Sequence, residues 1–300
     1  MRFFRNANFD FLGVRRRAYV VSGVLLLLGI GSLVLRGGPR YGVDFTGGTM
    51  LQVEFVEQTS VGDLRDVLSA AGMENAQIQQ LGDSNEFLIR TQDFEGIVDS
   101  VNDLFEDMYG ADGFSMSADA VGPKVGSELQ RKAAIAILLS FALTLVYLAF
   151  RFEWRFGVAA IIATFHDITI TFGFISLFNI EITLATVAAI LTILGYSLND
   201  TIVVFDRIRE NLKKRRKDSY ADIVNASINE TLPRTVLTSG TTLATLLALF
   251  ILGGTVVRPF ALVLILGVVI GTYSSIFVAS PALLEIEERS RRKEKKKGQS

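Results

Sequence analysis

Hydrophobic residues in this chain are concentrated in six runs, each close to the roughly 20 residues that an α-helix needs to cross a bilayer. Polar segments of unequal length separate the runs. They occupy residues 18–35, 133–150, 157–178, 182–205, 235–253 and 259–280. The pattern therefore predicts an α-helical polytopic membrane protein with six transmembrane helices.

The predicted helices divide the chain into five regions. These are an N-terminal segment 1–17, a first transmembrane helix 18–35, a polar segment 36–132, a five-helix membrane region 133–284 with a loop at 206–233, and a tail 285–300. The first run resembles a signal peptide, because three arginines (Arg15, Arg16 and Arg17) precede its apolar core. No small-residue cleavage site follows it, so we expect an uncleaved anchor.

Segment 36–132 has the pattern of a folded α+β domain. Alternating apolar residues predict strands, and apolar residues at helical spacing predict helices. The strands are predicted at 50–57, 76–81, 86–91 and 114–121, and the helices at 61–71 and 94–109. Gly72 and Gly110 stand where helix C-caps belong, and residues 82–85 form a turn cluster. The order β-α-β-β-α-β is typical of the ferredoxin-like fold.

Charge is distributed unevenly, although the net charge is only −1. Between Tyr41 and Gln130 there are 17 acidic residues and three basic ones. Lys and Arg cluster instead in the N-terminal segment, in the loop 206–233 and in the tail. The positive-inside rule then places both termini in the cytoplasm and the α+β domain outside. Docking to anionic lipid or to a ribosomal or motor partner is an alternative role for the basic clusters.

Composition excludes several kinds of chemistry. The chain has no Cys and one His, so disulfides, thiolate metal sites, a Cys nucleophile and a His-rich metal cluster are excluded. The sequence contains no phosphate-binding GK[ST] loop and no dinucleotide fingerprint. We therefore expect no catalytic residues, cofactor, metal or nucleic-acid partner.

The fourth hydrophobic run is the strongest functional signal. Asn199 and Asp200 lie inside it, and a carboxylate in hydrocarbon costs roughly 2.5–3.5 kcal/mol even on insertion scales. Helical spacing puts Thr192 on the same side as these two residues, and puts Leu194 and Leu198 on the other. We expect the polar side to face protein or water and the apolar side to face lipid. The working hypothesis is an ion-handling helix.

Other polar residues within the predicted helices are further candidates. His166 and Asp167 lie in the third run, where both a proton relay and a polar contact between helices remain open. Arg234 begins the fifth run, and a stripe of hydroxyls follows it at near-helical spacing: Thr238, Thr241, Thr242 and Thr245. If the fourth and fifth helices pack together, Arg234 can approach Asp200, and a nearby cation favours an ionised carboxylate.

Two more features concern packing. Gly267, Gly271 and Ser275 recur at intervals of four in the sixth run, which allows close helix contact within the chain or with a partner. Residues 218–232 form a short amphipathic stretch, predicted to lie at the membrane surface. Pro233 is expected to break that stretch just before the fifth transmembrane helix.

Four long motifs, in order, resemble those of the SecF family, the smaller half of the SecD–SecF accessory pair of the bacterial Sec translocase. They are YGVDFTGGT at 41–49, VGPKVG at 121–126, GYSLNDTIVVFDRIREN at 195–211 and PRTVLTSGTTLATLLALFILGG at 233–254. The resemblance covers almost the whole chain. SecD shares the layout but is usually longer, so the length favours a separate SecF-type subunit.

The resemblance implies a membrane fold of the RND transporter type, in which six helices from SecD complete a pseudo-two-fold arrangement. It implies a place in the bacterial inner membrane beside the SecYEG channel, with SecA and YajC functionally associated and a translocating preprotein as substrate. Proton motive force would promote late steps of translocation. By position in the motifs, Asp200 is the family's proton-relay acid and Arg234 its basic residue.

Two alternatives from other functional classes remain at this point. One is a proton-coupled small-molecule efflux half-transporter on the same fold. The other is a passive scaffold for SecD, in which Asp200 and Arg234 would be dispensable together. The sequence also leaves open whether Na⁺ replaces H⁺, and how the outer domain contacts a preprotein.

Overall fold

A computed structural model describes residues 7–74, 76–81, 85–91 and 96–297. The chain divides into two compact units. The first, here the membrane unit, comprises Met1–Arg40 and Ala136–Ser300; the second, here the outer unit, comprises Tyr41–Ile135.

The described residues form helices and four strands in the following order. They are α1 (Arg15–Leu35), α2 (Val43–Thr46), β1 (Gly48–Phe55), α3 (Val61–Ala70), β2 (Gln77–Gln80), β3 (Glu86–Thr91), α4 (Ile97–Tyr109), β4 (Phe114–Val121), α5 (Pro123–Arg151), α6 (Trp154–Leu177), α7 (Leu184–Lys214), α8 (Tyr220–Leu252), α9 (Gly254–Ser274), a π-helical turn (Ser275–Ala279) and α10 (Ser280–Lys297).

Six helical segments of the described chain are long and apolar enough to cross a membrane. They are α1, α5, α6, α7, α8 and a continuous rod, Val257–Arg292, that runs through α9, the π turn and α10. The prediction of six transmembrane helices is thus confirmed. The segments α6, α7 and the sixth rod are more than half buried, whereas α1, α5 and α8 are mostly exposed on this chain.

The outer unit has the predicted β-α-β-β-α-β order. Its four strands form one antiparallel sheet in the order β2-β3-β1-β4, so β1 and β3 are central, as in a ferredoxin-like fold. Side chains of one sheet face pack with α3 and α4 into a single core, which includes Leu51, Val53, Leu64, Phe87, Val101 and Phe105. A capping box between Ser60 and Asp63 begins α3. Residues 82–84 of the predicted turn cluster and residues 92–95, where the second predicted helix begins, lie outside the described part of the chain.

The expected break at Pro233 is wrong, because Pro233 lies inside α8. Of the predicted loop 206–233, only residues 215–219 are non-helical. Helix α8 loses one backbone hydrogen bond at Pro233, but the turns before it are held by burial of Ile223, Val224 and Ile228 in the main core. Packing of these side chains outweighs the local cost of the proline.

The charged end of α7 is helical, and its charges are paired. Arg207 contacts Glu210 one turn along the helix, at 2.6 Å, and Glu230 of α8, at 2.5 Å. Lys214 contacts Glu210 at 2.5 Å, and Arg151 at the end of α5 pairs with Asp206 at 2.5 Å. Such pairs, although individually weak, support the helix beyond its apolar part.

The expectation that the apolar side of α7 faces lipid is also wrong. Leu194 and Leu198 are 2% and 8% exposed, and Phe205 is fully buried. On the predicted polar side, Thr192, Gly195 and Asn199 are exposed on the chain. The reason is that α7 is central in the membrane unit, where it contacts α6, α8 and α9. Its apolar side is therefore buried against these helices.

Small residues allow two close helix contacts. Gly29 of α1 and Gly173 of α6 approach so closely that a Cβ on Gly173 would lie 2.3 Å from Gly29 Cα. On α9, a Cβ on Gly267 would lie 2.2 Å from the Ile193 side chain, and Gly271 lies against Ser197. Both α9 contacts are with α7, within the chain. Ser275 begins the π turn and donates to the Thr272 carbonyl at 2.9 Å.

Candidate functional site: a buried polar network

Asp200 is the acid predicted from the fourth hydrophobic run. It is 2% exposed, and α7 aims it at the contact between α8 and α9. Ser239 Oγ of α8 and Thr272 Oγ1 of α9 each lie 3.4 Å from Asp200 Oδ2, and either hydroxyl can donate to it. These two hydroxyls are 2.7 Å from each other, and Tyr196 OH donates to Ser239 at 3.4 Å. One carboxylate therefore joins three helices.

Arg234 and Asn199 occupy more open positions. Both are exposed on the chain. Within the described residues Arg234 forms no ion pair with Asp200, and it acts on that carboxylate only through a longer-range Coulombic interaction. The direct partners of Asp200 are hydroxyl groups. Because these groups carry no charge, the charged residues of the sequence did not point to them.

The threonine stripe of α8 bonds to its own helix. Each hydroxyl donates to the carbonyl four residues earlier: Thr238 to Arg234, Thr241 to Leu237, Thr242 to Thr238 and Thr245 to Thr241, at 2.9 to 3.1 Å. Thr238, Thr241 and Thr245 are exposed on the chain. The stripe is a self-satisfied polar surface at the depth of the membrane helices.

His166 and Asp167 form a second polar centre. His166 is 6% exposed and Asp167 is 1% exposed. His166 Nδ1 lies 2.8 Å from Asp167 Oδ1. Asp167 Oδ2 accepts from Ser197 of α7 and, at 2.6 Å, from Ser274 of α9. This carboxylate also joins three helices, here α6, α7 and α9.

The second centre extends to α1 through the other ring nitrogen. His166 Nε2 lies 3.0 Å from Ser22 Oγ, and Ser22 Oγ lies 3.2 Å from Tyr273 OH. Tyr273 OH donates to the Ala18 carbonyl at 2.8 Å. Sequence reasoning missed Ser22, Tyr273 and the serines around Asp167, because a lone hydroxyl in an apolar helix is a common residue with no distinctive spacing.

The two carboxylates are linked through the same two helices. Three consecutive residues of α9 serve them, since Thr272 reaches Asp200, Tyr273 reaches Ser22 and Ser274 reaches Asp167. The π turn begins directly after them, and π turns are frequent at functional sites. Within the described residues there is no group of three or more His, Cys, Asp or Glu able to hold a metal ion.

The fold and this network define a polytopic membrane protein of the RND half-transporter type, with six membrane helices and a ferredoxin-like domain after the first. A family model described as "Protein export membrane protein SecD/SecF, C-terminal" matches residues 100–289, and one described as "SecD/SecF GG Motif" matches residues 33–59. The chain belongs to the SecF family of the SecD/SecF proteins.

Similar proteins agree with this assignment. The chain is 46% identical to the protein translocase subunit SecF of Gemmatimonas aurantiaca, over 96% of this chain and 90% of that protein. It is 42% identical to the SecF of Rhodothermus marinus, over 97% of each chain. The crystal structure of SecDF from Thermus thermophilus matches with a TM-score of 0.86 and 41% identity, over 96% of this chain and 40% of that longer polypeptide.

Proposed function

We propose that this chain is the SecF subunit of a SecD–SecF pair that uses proton motive force to promote preprotein translocation. It acts as an accessory subunit rather than an enzyme. It spans the bacterial inner membrane with both termini in the cytoplasm, beside SecYEG and with SecA and YajC as associated factors. Its family membership supports the export role, and the buried carboxylates support the coupling to protons.

The burial of Asp200 within a membrane helix is the observation on which the proposal rests. A buried acid in a membrane helix is costly, which makes it a functional candidate, and its partners here are two hydroxyls on α8 and α9. As a carboxylate, Asp200 accepts a hydrogen bond from one of these hydroxyls, while the other donates within the 2.7 Å contact between Ser239 and Thr272. As a carboxylic acid it carries its own donor, so the hydroxyl that donated to it must turn away or accept instead. Proton binding thus changes the contacts among three helices.

Arg234 has a modulating role in this mechanism. Its exposed position on α8 lets it approach or leave the carboxylate as α7 and α8 move against each other. Approach of the cation favours the ionised acid, and withdrawal favours the protonated acid. Each proton that crosses 100 mV supplies about 2.3 kcal/mol, so a few protons match the cost of a modest domain movement.

SecD is the partner that best completes the membrane unit. Asn199, Thr192 and the exposed threonines of α8 are polar side chains at membrane depth. The threonine hydroxyls already donate to their own helix, but their oxygens can still accept, so the polar face of another helix suits this surface better than lipid does. The movement of the membrane helices would be passed to the outer unit, which would hold or release the emerging preprotein.

Export into inverted membrane vesicles tests the proposal. Asp200→Asn keeps the shape of the side chain but cannot exchange a proton, so stimulation of export by a proton gradient should disappear while assembly with SecD persists. Asp206→Asn is the matched control, since Asp206 lies on the same helix and pairs with Arg151. Undiminished stimulation in Asp200→Asn would rule the mechanism out and favour a passive scaffold.

A further inference from the structure

The hydrogen bonds around His166 fix how many protons the His166–Asp167 pair holds. The chain of contacts runs from the Ala18 carbonyl through Tyr273 and Ser22 to His166 Nε2, and from Nδ1 to Asp167 Oδ1. Each hydroxyl in it has a single proton to donate, and a carbonyl can only accept. The donors can therefore be assigned one after another, starting from the carbonyl.

With each of these contacts counted as a hydrogen bond, the assignment leaves one arrangement. Tyr273 gives its proton to the Ala18 carbonyl, so in the contact with Tyr273 the donor must be Ser22. Ser22 has then no proton left for His166, so Nε2 must carry a proton and donate it to Ser22 Oγ. The contact between Nδ1 and Asp167 Oδ1, at 2.8 Å, still needs a proton on one of its two atoms.

We propose that His166 and Asp167 together form a second proton-binding site, which this structure shows in its loaded state. The pair then holds two protons on three polar atoms: one on Nε2 and one between Nδ1 and Oδ1. Its net charge is zero, either as imidazolium with carboxylate or as imidazole with carboxylic acid. A neutral pair suits its depth within the membrane unit.

Proton release from this site has a defined structural consequence. When the Nε2 proton leaves, the proton on Nδ1 stays with the Asp167 carboxylate, and the pair carries one negative charge. The bare Nε2 is now an acceptor, so the Ser22 hydroxyl turns its proton from Tyr273 to His166. The hydrogen bond between Ser22 and Tyr273, which joins α1 to α9, is lost. Loading of the site therefore adds one hydrogen bond between α1 and α9, and unloading removes it, while the bond from Tyr273 to the Ala18 carbonyl persists.

Neutral side chains surround the pair on every helix that contacts it through a hydrogen bond: Ser22 of α1, Ser197 of α7 and Ser274 of α9. The nearest ionisable groups on those helices are one turn away or adjacent. They are Tyr19 of α1, which donates to Glu285 of α10 at 2.9 Å, Tyr196 and Asp200 of α7, and Tyr273 of α9. Of these groups, Asp200 is the one that has a role in the proposed proton coupling.

The second site adds to the proposed function. It rests on that function in one respect, namely its coupling to Asp200. Ser197 and Asp200 lie one turn apart on α7, and Thr272 and Ser274 lie two residues apart on α9. A change in either site shifts the same two helices, so the occupancy of one site biases the other. The π turn directly after Ser274 is where α9 can absorb such a shift.

Nitrogen NMR of the single histidine tests the site directly. Since the chain contains one His, ¹⁵N-histidine labelling of the full chain, purified without a histidine tag and placed in lipid vesicles, gives the signals of His166 alone. As pH rises between about 5 and 9, Nε2 should lose its proton while Nδ1 keeps one. A histidine whose protonation stays unchanged over this range would overturn the proposal, as would loss of the proton from Nδ1 instead.

The Tyr273→Phe variant tests the link to α1. Without the tyrosine hydroxyl, Ser22 loses its acceptor in the loaded state only. The site should then release its proton about tenfold more readily, so the titration midpoint should fall by about one pH unit. Tyr147→Phe, a change at an exposed position of α5, should leave the midpoint unchanged. An unchanged midpoint in Tyr273→Phe would contradict the assigned hydrogen bonds.

The outcome separates this site from the function proposed for Asp200. A titrating His166 together with full gradient-stimulated export in Asp200→Asn would keep the site and reject the proposed function. A His166 of fixed protonation together with defective export in Asp200→Asn would reject the site and keep the function.

Discussion

Gly271 of α9 lies directly against Ser197 of α7, so that a Cβ on the glycine would be 2.8 Å from the Ser197 Cβ. The same serine donates to Asp167. A methyl group at position 271 would therefore push apart α7 and α9, the two helices whose side chains contact both carboxylates. Gly271→Ala should destabilise the chain by about 1–3 kcal/mol through overpacking, despite the higher helix propensity of alanine.

Thermal unfolding of the purified chain measures this effect. Gly240→Ala on α8 is the control, because a Cβ there has no heavy atom within 4 Å. It should be neutral or slightly stabilising. Equal stability of Gly271→Ala and the parent chain would show that α7 and α9 do not approach as closely as described.

A pair of asparagines on α8 holds the segment before α1. Asn229 accepts from the Phe9 amide at 2.8 Å and donates to the Phe9 carbonyl at 2.9 Å, while Asn225 accepts from the Phe11 amide at 2.9 Å. Asn229→Ala removes two of these bonds. We expect about tenfold faster hydrogen exchange at the Phe9 amide, since each bond contributes about 1 kcal/mol.

The control for that exchange measurement is Asn102→Ala. Asn102 donates to Glu106 on α4 of the outer unit at 3.1 Å, so its replacement should leave exchange at Phe9 as in the parent chain. Unchanged exchange at Phe9 in Asn229→Ala would mean that the asparagines do not anchor this segment.

The stability of the outer unit depends on its aromatic core. Phe105 is fully buried, and its ring centroid lies 5.3 Å from that of Phe55 and 5.6 Å from that of Phe114. Phe105→Ala should cost about 3–5 kcal/mol. Met108→Ala on the same helix, at a position 54% exposed, should have little effect. Hydrogen exchange of β1 and β3 in the full chain distinguishes them, and equal exchange would argue against this core.

Much of the fold could be predicted because its signals are local. Hydrophobic runs gave the six membrane helices, and alternation with glycine caps gave the element order of the outer unit. The errors arose where packing overrides a local rule. Pro233 is accommodated because the turns before it are buried, and the apolar side of α7 faces inward because three helices surround it.

The site was predicted only in part. Charged or titratable groups in apolar runs drew attention to Asp200, His166 and Asp167, since burial of such groups is costly. Their partners were not predictable, because Ser239 and Thr272 come from helices 39 and 72 residues away in the sequence. Only the three-dimensional fold brings these hydroxyls to one carboxylate.

Proton entry into vesicles that contain the chain together with SecD, followed with a pH-sensitive dye under an imposed gradient, tests the central claim most directly. The Asp200→Asn complex should admit protons no faster than protein-free vesicles, whereas Asp206→Asn should match the parent and Asp200→Glu should restore part of the rate. A parental rate of proton entry in Asp200→Asn would contradict the account.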